Sequence, residues 1–163
     1  LHPLEGFILK KKVADVKAVD NVSFTVKSGE TLGIVGESGC GKTTLGKSMM
    51  MLQKPTGGEA KFNMGGQMKD IRKFDKSELF KFKKKVQMVF QDPYSSLNPM
   101  KTIYSAFDEP LKAHGYTSKE EREHIMIEKF KTVNLQSDYI YRYPHEFSGG
   151  QRQRICIARA LCV

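Results

Sequence analysis

The chain has 163 residues, of which 39% are hydrophobic and 28% charged, and its formal net charge is +9. A chain of this length and composition forms a globular domain with a hydrophobic core, which excludes a low-complexity protein. No apolar run approaches the ~18 residues of a membrane-spanning helix, so the sequence predicts no transmembrane segment. Residues 1–4 are neither a signal peptide nor an initiator methionine, and we expect a trimmed end.

Cysteine usage indicates the compartment. The three cysteines, Cys40, Cys156 and Cys162, show no CxxC pair and no metal-ligand spacing, and an odd number makes a poor disulfide framework. We therefore expect a reduced, cytoplasmic setting.

Much of the positive charge lies in residues 69–85, which carry eight Lys or Arg against three acidic residues. Such a run can bind nucleic acid or an anionic membrane surface, and it can equally be the solvated face of a helix. No aromatic-and-basic RNA-binding motif accompanies it. Both interpretations stay open at this point.

The first half of the chain has the pattern of an α/β unit. Alternating apolar and polar residues predict a half-buried strand over residues 16–26, and the apolar run 31–36 predicts a buried parallel strand. A glycine-rich loop follows, and then a helix that ends before Pro55. Strand, glycine-rich loop and helix in this order open an α/β unit.

Further along, residues 56–64 predict a turn and a strand, and residues 85–92 a second buried strand. The character then changes: 93–99 reads as a turn-rich loop, and 102–114 and 119–133 as helices. Ser118 and Glu121 have the spacing of a capping box, and the stripe formed by Ile125 or Met126, Lys129-Phe130 and Val133 indicates core packing. We therefore expect a mostly helical subdomain from Pro93 to Phe147, inserted into the α/β unit.

Residues 36–43 match the phosphate-binding loop G-x-x-x-x-G-K-[ST], and they stand between a predicted strand and a predicted helix. The glycines let backbone N–H groups wrap around phosphate oxygens, and the helix that follows presents its free N–H groups to the same anion. Lys42 supplies a cation for the β- and γ-phosphates, and the Thr43 hydroxyl suits Mg²⁺. The sequence therefore predicts nucleotide binding here.

The second, weaker signal is Phe90-Gln91-Asp92-Pro93, at the junction of a predicted strand and the helical insert, and its candidate residue is Gln91. Its amide has both a donor and an acceptor and can contact Mg²⁺ and an attacking water together. The alternative interpretation is a polar residue at a strand end.

The third signal is Ser148-Gly149-Gly150-Gln151, which precedes a helix with Ile155, Ala158 and Leu161 on one face. Serine is a good N-cap, and two glycines leave the helix end bare for a phosphate. A simple capped helix is the alternative, and the motif by itself does not decide between them.

Together these motifs resemble the nucleotide-binding subunit of ABC transporters. Residues 36–43 resemble the Walker A loop of that family, 89–93 its Q-loop and 147–151 its signature motif, with Phe147 in place of the usual Leu. The order matches, and the resemblance covers nearly the whole chain. The stretches VKAVDNVSF, FQDPYSSLNP and RYPHEFSGGQRQR are similar to the dipeptide, oligopeptide and nickel importer branch.

The resemblance implies an α/β P-loop NTPase core of the ABC type, incomplete at its C-terminal end, with an inserted mostly helical subdomain. Residues 1–92 would be the ATP-binding core, 93–147 the helical subdomain, and 148–163 the signature motif with its helix.

The same resemblance implies a role for each motif. The residues expected to bind ATP in the loop are Gly36, Glu37, Ser38, Gly39, Cys40, Gly41, Lys42, Thr43 and Thr44. Thr43 and Gln91 would contact Mg²⁺, and Gln91 would also position water and sense the membrane subunit. Residues 94–99 and the helical insert would face that subunit. Ser148, Gly149, Gly150 and Gln151 would bind the γ-phosphate of ATP held by a second subunit. Phe7 and His2 are candidates for stacking on adenine.

One departure from the family concerns hydrolysis. After the signature helix the family places an apolar strand ending in Asp-Glu, in which the Glu is the general base, but this sequence stops at Val163. His145 and Glu146 precede the signature and are no replacement. We therefore expect the 163-residue chain to bind nucleotide weakly at best and to lack hydrolysis, whereas the full-length protein would be an ATPase.

The function implied is that of the ATP-binding subunit of an importer of peptides or nickel, working as a dimer with membrane permease subunits at the cytoplasmic face of the membrane. The partner would be a second copy or a paralogue, and no nucleic acid is expected. Two rivals stay open: a soluble ABC-type ATPase that acts on nucleic acid, and a non-catalytic nucleotide-binding module.

Overall fold

The computed structural model describes residues 2–5 and 12–163, with side chains from Val16 onward. It divides into two compact units, Leu1–Leu79 and Phe80–Val163, and each is described by itself. The functional division at residues 92 and 147 stays a prediction. Phe7 lies outside the described residues, and His2 is described only as backbone.

Among its described residues, the first unit contains two small antiparallel sheets, one complete helix and the beginning of a second helix. Strand β1 (His2–Glu5) pairs with β2 (Lys12–Val16), with an irregular register between Leu4 and Glu5. Helix α1 (Lys42–Met49) follows the glycine-rich loop. The hairpin of β3 (Lys61–Asn63) and β4 (Met68–Asp70) comes next, and a 3-10 turn at Ile71–Lys73 follows it.

The structure contradicts three predicted strands. Of residues 16–26 only Val16 belongs to a strand, at the end of β2, and no strand is described within 31–36 or 85–92. A strand exists only through hydrogen bonds to a neighbour, and within the described residues no strand pairs with these runs. Most of their apolar side chains are consequently exposed, and Val35 reaches 96%.

Helix α2 (Lys76–Lys85) spans the boundary between the units and leads into the second, which is mainly helical. Its helices are α3 (Pro93–Ser96), α4 (Ile103–Ala113), α5 (Lys119–Thr132) and α6 (Gly149–Ala160), with 3-10 turns at Ser137–Tyr141 and Pro144–Glu146. The two long predicted helices of the insert are thus confirmed as α4 and α5.

The core of this second unit is continuous and apolar. Its fully buried side chains come from α4, α5, α6 and the turn between them: Ile103, Phe107, Leu111, Met126, Phe130, Ile140, Ile155 and Ala158. Phe107 meets Phe130 edge to face, with ring centres 5.5 Å apart. The stripe predicted for α5 therefore does pack into the core.

Side-chain caps start the helices of this unit. Ser118 Oγ accepts a hydrogen bond from the Glu121 N–H at 3.2 Å and donates its own proton to Glu120 at 2.7 Å. No return bond from the Ser118 N–H to the Glu121 side chain is described, so only half of the expected capping box forms. The segment after Gln91 was predicted as a loop and is instead α3. Asp92 accepts a bond from the Tyr94 N–H at 2.9 Å and Pro93 occupies the first turn, which together start a helix.

A buried ion pair joins α4 to α5. Arg122 is 5% exposed and donates from Nε to Asp108 Oδ1 at 2.6 Å, while its Nη1 reaches the carbonyls of Tyr116, Thr117 and Ser118. Lys112 lies 2.8 Å from the second oxygen of Asp108. Burial raises the pKa of the Asp108 carboxyl, but hydrogen bonds and charges from Lys112 and Arg122 outweigh it and lower that pKa below its ordinary value.

We predict that Arg122→Met lowers the free energy of unfolding by roughly 3 kcal/mol at pH 7, because it leaves a buried carboxylate without its main partner. The folded-state pKa of Asp108 is depressed, so its contribution is present above the ordinary aspartate pKa and is lost as the pH falls through the folded-state value. The difference between the variant and the unaltered chain should therefore narrow below about pH 4. Urea unfolding followed by far-UV circular dichroism measures both.

Lys112→Met is the matched control, since the side chain of Lys112 is 58% exposed and contacts the same carboxylate. We expect this change to cost less than ~1 kcal/mol. Equal losses in the two variants would contradict a special role for Arg122.

Candidate functional site

The phosphate-binding loop leads directly into α1, and Gly41 is the N-cap of that helix. Gly41 has φ +97°, and a Cβ there would lie 2.1 Å from the Ala18 carbonyl oxygen. Gly39 also has a positive φ, of +80°. Any side chain at residue 41 would therefore be strained and would collide with backbone, which explains why the loop needs glycine at this position.

The start of α1 lacks a side-chain cap, whereas α3, α4, α5 and α6 each have one. No side chain of the described residues accepts a hydrogen bond at the Gly41 cap. The first N–H groups of a helix have no intrahelical acceptor, and the helix dipole makes this end positive. The beginning of α1 is therefore able to bind an anion.

Lys42 folds back over its own loop. Its Nζ donates to the carbonyl oxygens of Gly36 and Glu37, each at 2.6 Å, and lies 3.5 Å from Cys40 Sγ. Thr43 is exposed and Thr44 half-buried on the first turn of α1. The loop thus places a cation and a free hydroxyl beside an uncapped helix end, which is the chemistry that a phosphate and an oxygen-seeking divalent ion require.

Gln91 lies in the second unit, exposed, immediately before α3. Its neighbour Asp92 is held as the cap of that helix, and hydrogen bonds from Ser95 and from the Tyr94 N–H lower the pKa of the Asp92 carboxyl. Asp92 is therefore ionised at neutral pH, and its hydrogen bonds to α3 fix the backbone directly after Gln91.

The signature residues form a complete capping box at the start of α6. Ser148 Oγ accepts from the Gln151 N–H at 3.3 Å, and Gln151 Oε1 accepts from the Ser148 N–H at 2.9 Å. Gly149 and Gly150 are exposed, and a Cβ on either would meet no atom within 4 Å. Packing against the described residues therefore does not require glycine at either position. The open space above the two glycines lets another molecule approach the backbone closely.

The predicted apolar face of α6 is correct for Ile155 and Ala158, which are fully buried, and wrong for Leu161, which is 49% exposed. The helix ends at Ala160, and Leu161 follows it as the C-cap. Cys162 is buried in its place, two turns beyond Ile155, and burial raises the pKa of its thiol to about 12. All three cysteines are free, and Cys40 is the exposed one.

The structure brings together two of the three motifs. Gln91 and the signature both belong to Phe80–Val163, where α3 packs on α6, while the loop at residues 36–43 belongs to the other unit. Two arginines of α6, Arg152 and Arg159, make the contact with α3. Sequence reasoning missed both; the available signal was their spacing of two helical turns on the signature helix.

Comparison with known proteins identifies the family. The family model described as ABC transporter matches residues 19–163. The chain belongs to this family. Its fold agrees: a solved dimeric ATP-binding cassette in a post-hydrolysis state, bound to ADP and Pi, has a TM-score of 0.71 and 34% identity, over 89% of this chain and 61% of that one. The predicted ABC-type P-loop fold class is therefore confirmed, as is a strand within residues 56–64, although three other predicted strands are not.

The curated relatives fall in the predicted branch. The oligopeptide transport ATP-binding protein AppF of Bacillus subtilis is 52% identical over 98% of this chain, and the dipeptide transport ATP-binding protein DppF of Escherichia coli K12 is 47% identical over 90%. These matches cover 47% and 42% of the relatives, so the chain spans about half the length of the curated relatives it matches.

In the part of the chain that the structure describes, no helix is both long enough and apolar enough to cross a membrane. Within the same residues, no group of three or more His, Cys, Asp or Glu side chains could hold a metal ion.

We predict opposite stability effects from two changes in the signature. Ser148→Ala should lower the free energy of unfolding by about 1 kcal/mol, because the α6 cap is lost. Gly150→Ala should raise it by up to ~0.5 kcal/mol, because alanine favours the helix and the added Cβ meets nothing within 4 Å. Urea unfolding of the two variants measures this. A Gly150→Ala variant that is clearly less stable would show that the glycine serves packing after all.

Proposed function

We propose that this ABC family member is the ATP-binding subunit of an importer for peptides, or for nickel, and energises uptake by binding and hydrolysing ATP in a dimer. The observation that carries the proposal is the uncapped start of α1 with Lys42 over the loop, in a chain whose relatives are named as peptide transport ATP-binding proteins. The partners proposed are a second ATP-binding subunit and membrane permease subunits, at the cytoplasmic face of the membrane.

The residues of the loop fit the phosphates of ATP. The backbone from Gly36 to Thr44 and the α1 N-terminus would bind the phosphate oxygens, and Lys42 would exchange its bonds to the loop carbonyls for bonds to phosphate. Oxygen donors suit Mg²⁺, so we assign Thr43 and Gln91 to it. When bound, Mg²⁺ would neutralise charge on the β- and γ-phosphates.

The signature residues fit a phosphate that comes from another molecule. Ser148, Gly149, Gly150 and Gln151 lie exposed or half-exposed at the start of α6, with open space over both glycines. The capping box occupies the N–H groups of Ser148 and Gln151. The backbone N–H groups of Gly149 and Gly150, between them, and the positive helix end would hold the γ-phosphate of ATP bound to the partner subunit. Two sites would then be shared across the dimer, each formed by the loop of one subunit and the signature of the other. Association of the two subunits would therefore depend on ATP.

A nucleic-acid-directed ATPase is the second candidate, and the basic residues 69–85 favour it. The structure weakens that support, because Lys69 is paired with Glu78 at 2.9 Å and Arg72 with Asp70 at 2.7 Å. Salt-sensitive binding of DNA or RNA would favour this candidate, and co-purification with membrane permease subunits would favour the importer.

We predict that Lys42→Ala weakens binding of a fluorescent ATP analogue by about tenfold or more, because a charge-assisted contact to phosphate is lost. Titration with and without Mg²⁺ measures the dissociation constants. Lys54→Ala is the matched control: it removes the same charge from an exposed residue of the same unit, outside the loop, and should bind as the unaltered chain does. Equal binding by both variants would reject the loop as the nucleotide site.

We further propose that the 163-residue polypeptide by itself does not hydrolyse ATP at a measurable rate. Residues 152–163 contain neither Asp nor Glu, so no carboxylate follows the signature to act as general base. Phosphate release from Mg-ATP should match that of the Lys42→Ala variant. Turnover that Lys42→Ala abolishes would overturn the proposal and would point to a base elsewhere in this chain.

A further inference from the structure

The side chain of Arg152 connects the segment after Gln91 to the signature helix. Its guanidinium carbon lies 3.7 Å from the centre of the Tyr94 ring, and its Nη2 donates a hydrogen bond to the Tyr94 hydroxyl. Its Nη1 reaches the carbonyl of Pro144, in the turn just before the signature, at 3.3 Å. A single side chain therefore contacts α3 and the turn on the other side of the signature.

Arg159 makes a second connection two turns further along α6. Its Nη1 donates to the Ser96 carbonyl oxygen at 2.8 Å, and Ser96 is the last residue of α3. A cation at the C-terminal end of a helix satisfies a free carbonyl and complements the dipole. The two arginines hold α3 at two points, so α3 cannot rotate on α6 without breaking one contact.

Helix stability does not explain Arg152. It lies in the first turns of α6, where a cation is disfavoured by the positive end of the helix, and no acidic residue occupies that turn. Nor is Tyr94 a core residue, since it is 60% exposed. An arginine stacked on an exposed tyrosine, at a position that is unfavourable for its own helix, is best explained by the connection that it makes.

The connection continues to Gln91 through the cap of α3. Asp92 accepts hydrogen bonds from the N–H groups of Tyr94 and Ser95, at 2.9 Å and 3.4 Å, so Gln91 is attached to α3 through a rigid turn. At the other end, Arg152 directly follows Gln151, whose side chain completes the capping box with Ser148. A continuous series of contacts thus runs from Gln91 to the signature residues.

We propose that Arg152, acting through Tyr94, is a positioning residue that makes the segment after Gln91 and the signature motif move as one body, with Arg159 as the second attachment. This inference rests on the proposed function, because the signature residues that Arg152 would couple to Gln91 are those proposed to bind the partner's ATP. The contacts themselves are testable without nucleotide.

Amide hydrogen exchange of the whole 163-residue chain, followed by mass spectrometry, tests the proposal. Arg152→Ala should speed exchange in residues 94–97, and Tyr94→Ala should speed exchange in residues 151–153, each by about two- to fivefold, the range for an exposed cation–π contact. The double variant should exchange no faster than either single one, because both remove the same contact. Tyr94→Phe keeps the ring and should retain most of the protection.

Arg154→Ala is the matched control, because Arg154 lies on the same helix and donates instead to the carbonyls of Val133 and Asn134. It should leave residues 94–97 unchanged. Exchange within α5 should be the same in the Arg152 and Tyr94 variants as in the unaltered chain, which a general loss of structure would not allow. If Arg152→Ala does not fold, the Tyr94 variants decide alone.

The proposal is overturned if Tyr94→Ala leaves residues 151–153 unchanged, if the two single effects add in the double variant, or if exchange rises throughout the unit. Since no nucleotide is present, these outcomes are independent of the Lys42→Ala titration. Loss of the proposed ATP site and loss of the coupling can therefore be told apart.

Discussion

A helix cannot satisfy its own first backbone N–H groups, and the ways in which this chain meets that constraint separate its structural helices from its candidate sites. Thr102 and Ser118 cap α4 and α5 with their side chains, and Asp92 caps α3. Helix α1 begins at Lys42, and its N-cap residue, Gly41, has no side chain that could cap it. The free N–H groups of α1 therefore remain available to an anion, which is what a nucleotide-binding loop provides.

Helix α6 meets the same constraint differently. Its capping box orders Ser148 and Gln151, and two glycines between them leave the backbone open. A well-ordered backbone without side chains suits a surface that another molecule must approach closely. Because α6 also carries Arg152 and Arg159, the helix that presents the signature holds the segment after Gln91 as well. The proposed binding of the partner's ATP and the proposed coupling to Gln91 thus both depend on α6.

The apolar runs of the first unit show how strongly a sheet depends on its neighbours. Residues 31–36 have the composition of a buried strand, yet Val35 is almost fully exposed and no pairing is described there. Helices in the second unit form independently of such partners, since their hydrogen bonds close within a few residues and their apolar faces meet one another. Contacts of the unpaired runs with further strands would bury a surface that is otherwise unfavourable in water.

The sequence by itself determined the features that depend on residues a few positions apart. The family could be predicted from the sequence. So could three local features: the loop at Gly36 to Thr43, the caps at Ser118 and Ser148, and the core-facing stripe of α5. Only the tertiary structure decided which segments find a partner. The pairing of Arg152 with Tyr94 spans 58 residues, and that of Arg122 with Asp108 depends on how α4 packs against α5. Local hydrogen bonding is encoded in short patterns, whereas strand pairing and contacts between distant residues depend on which other elements are present to meet them.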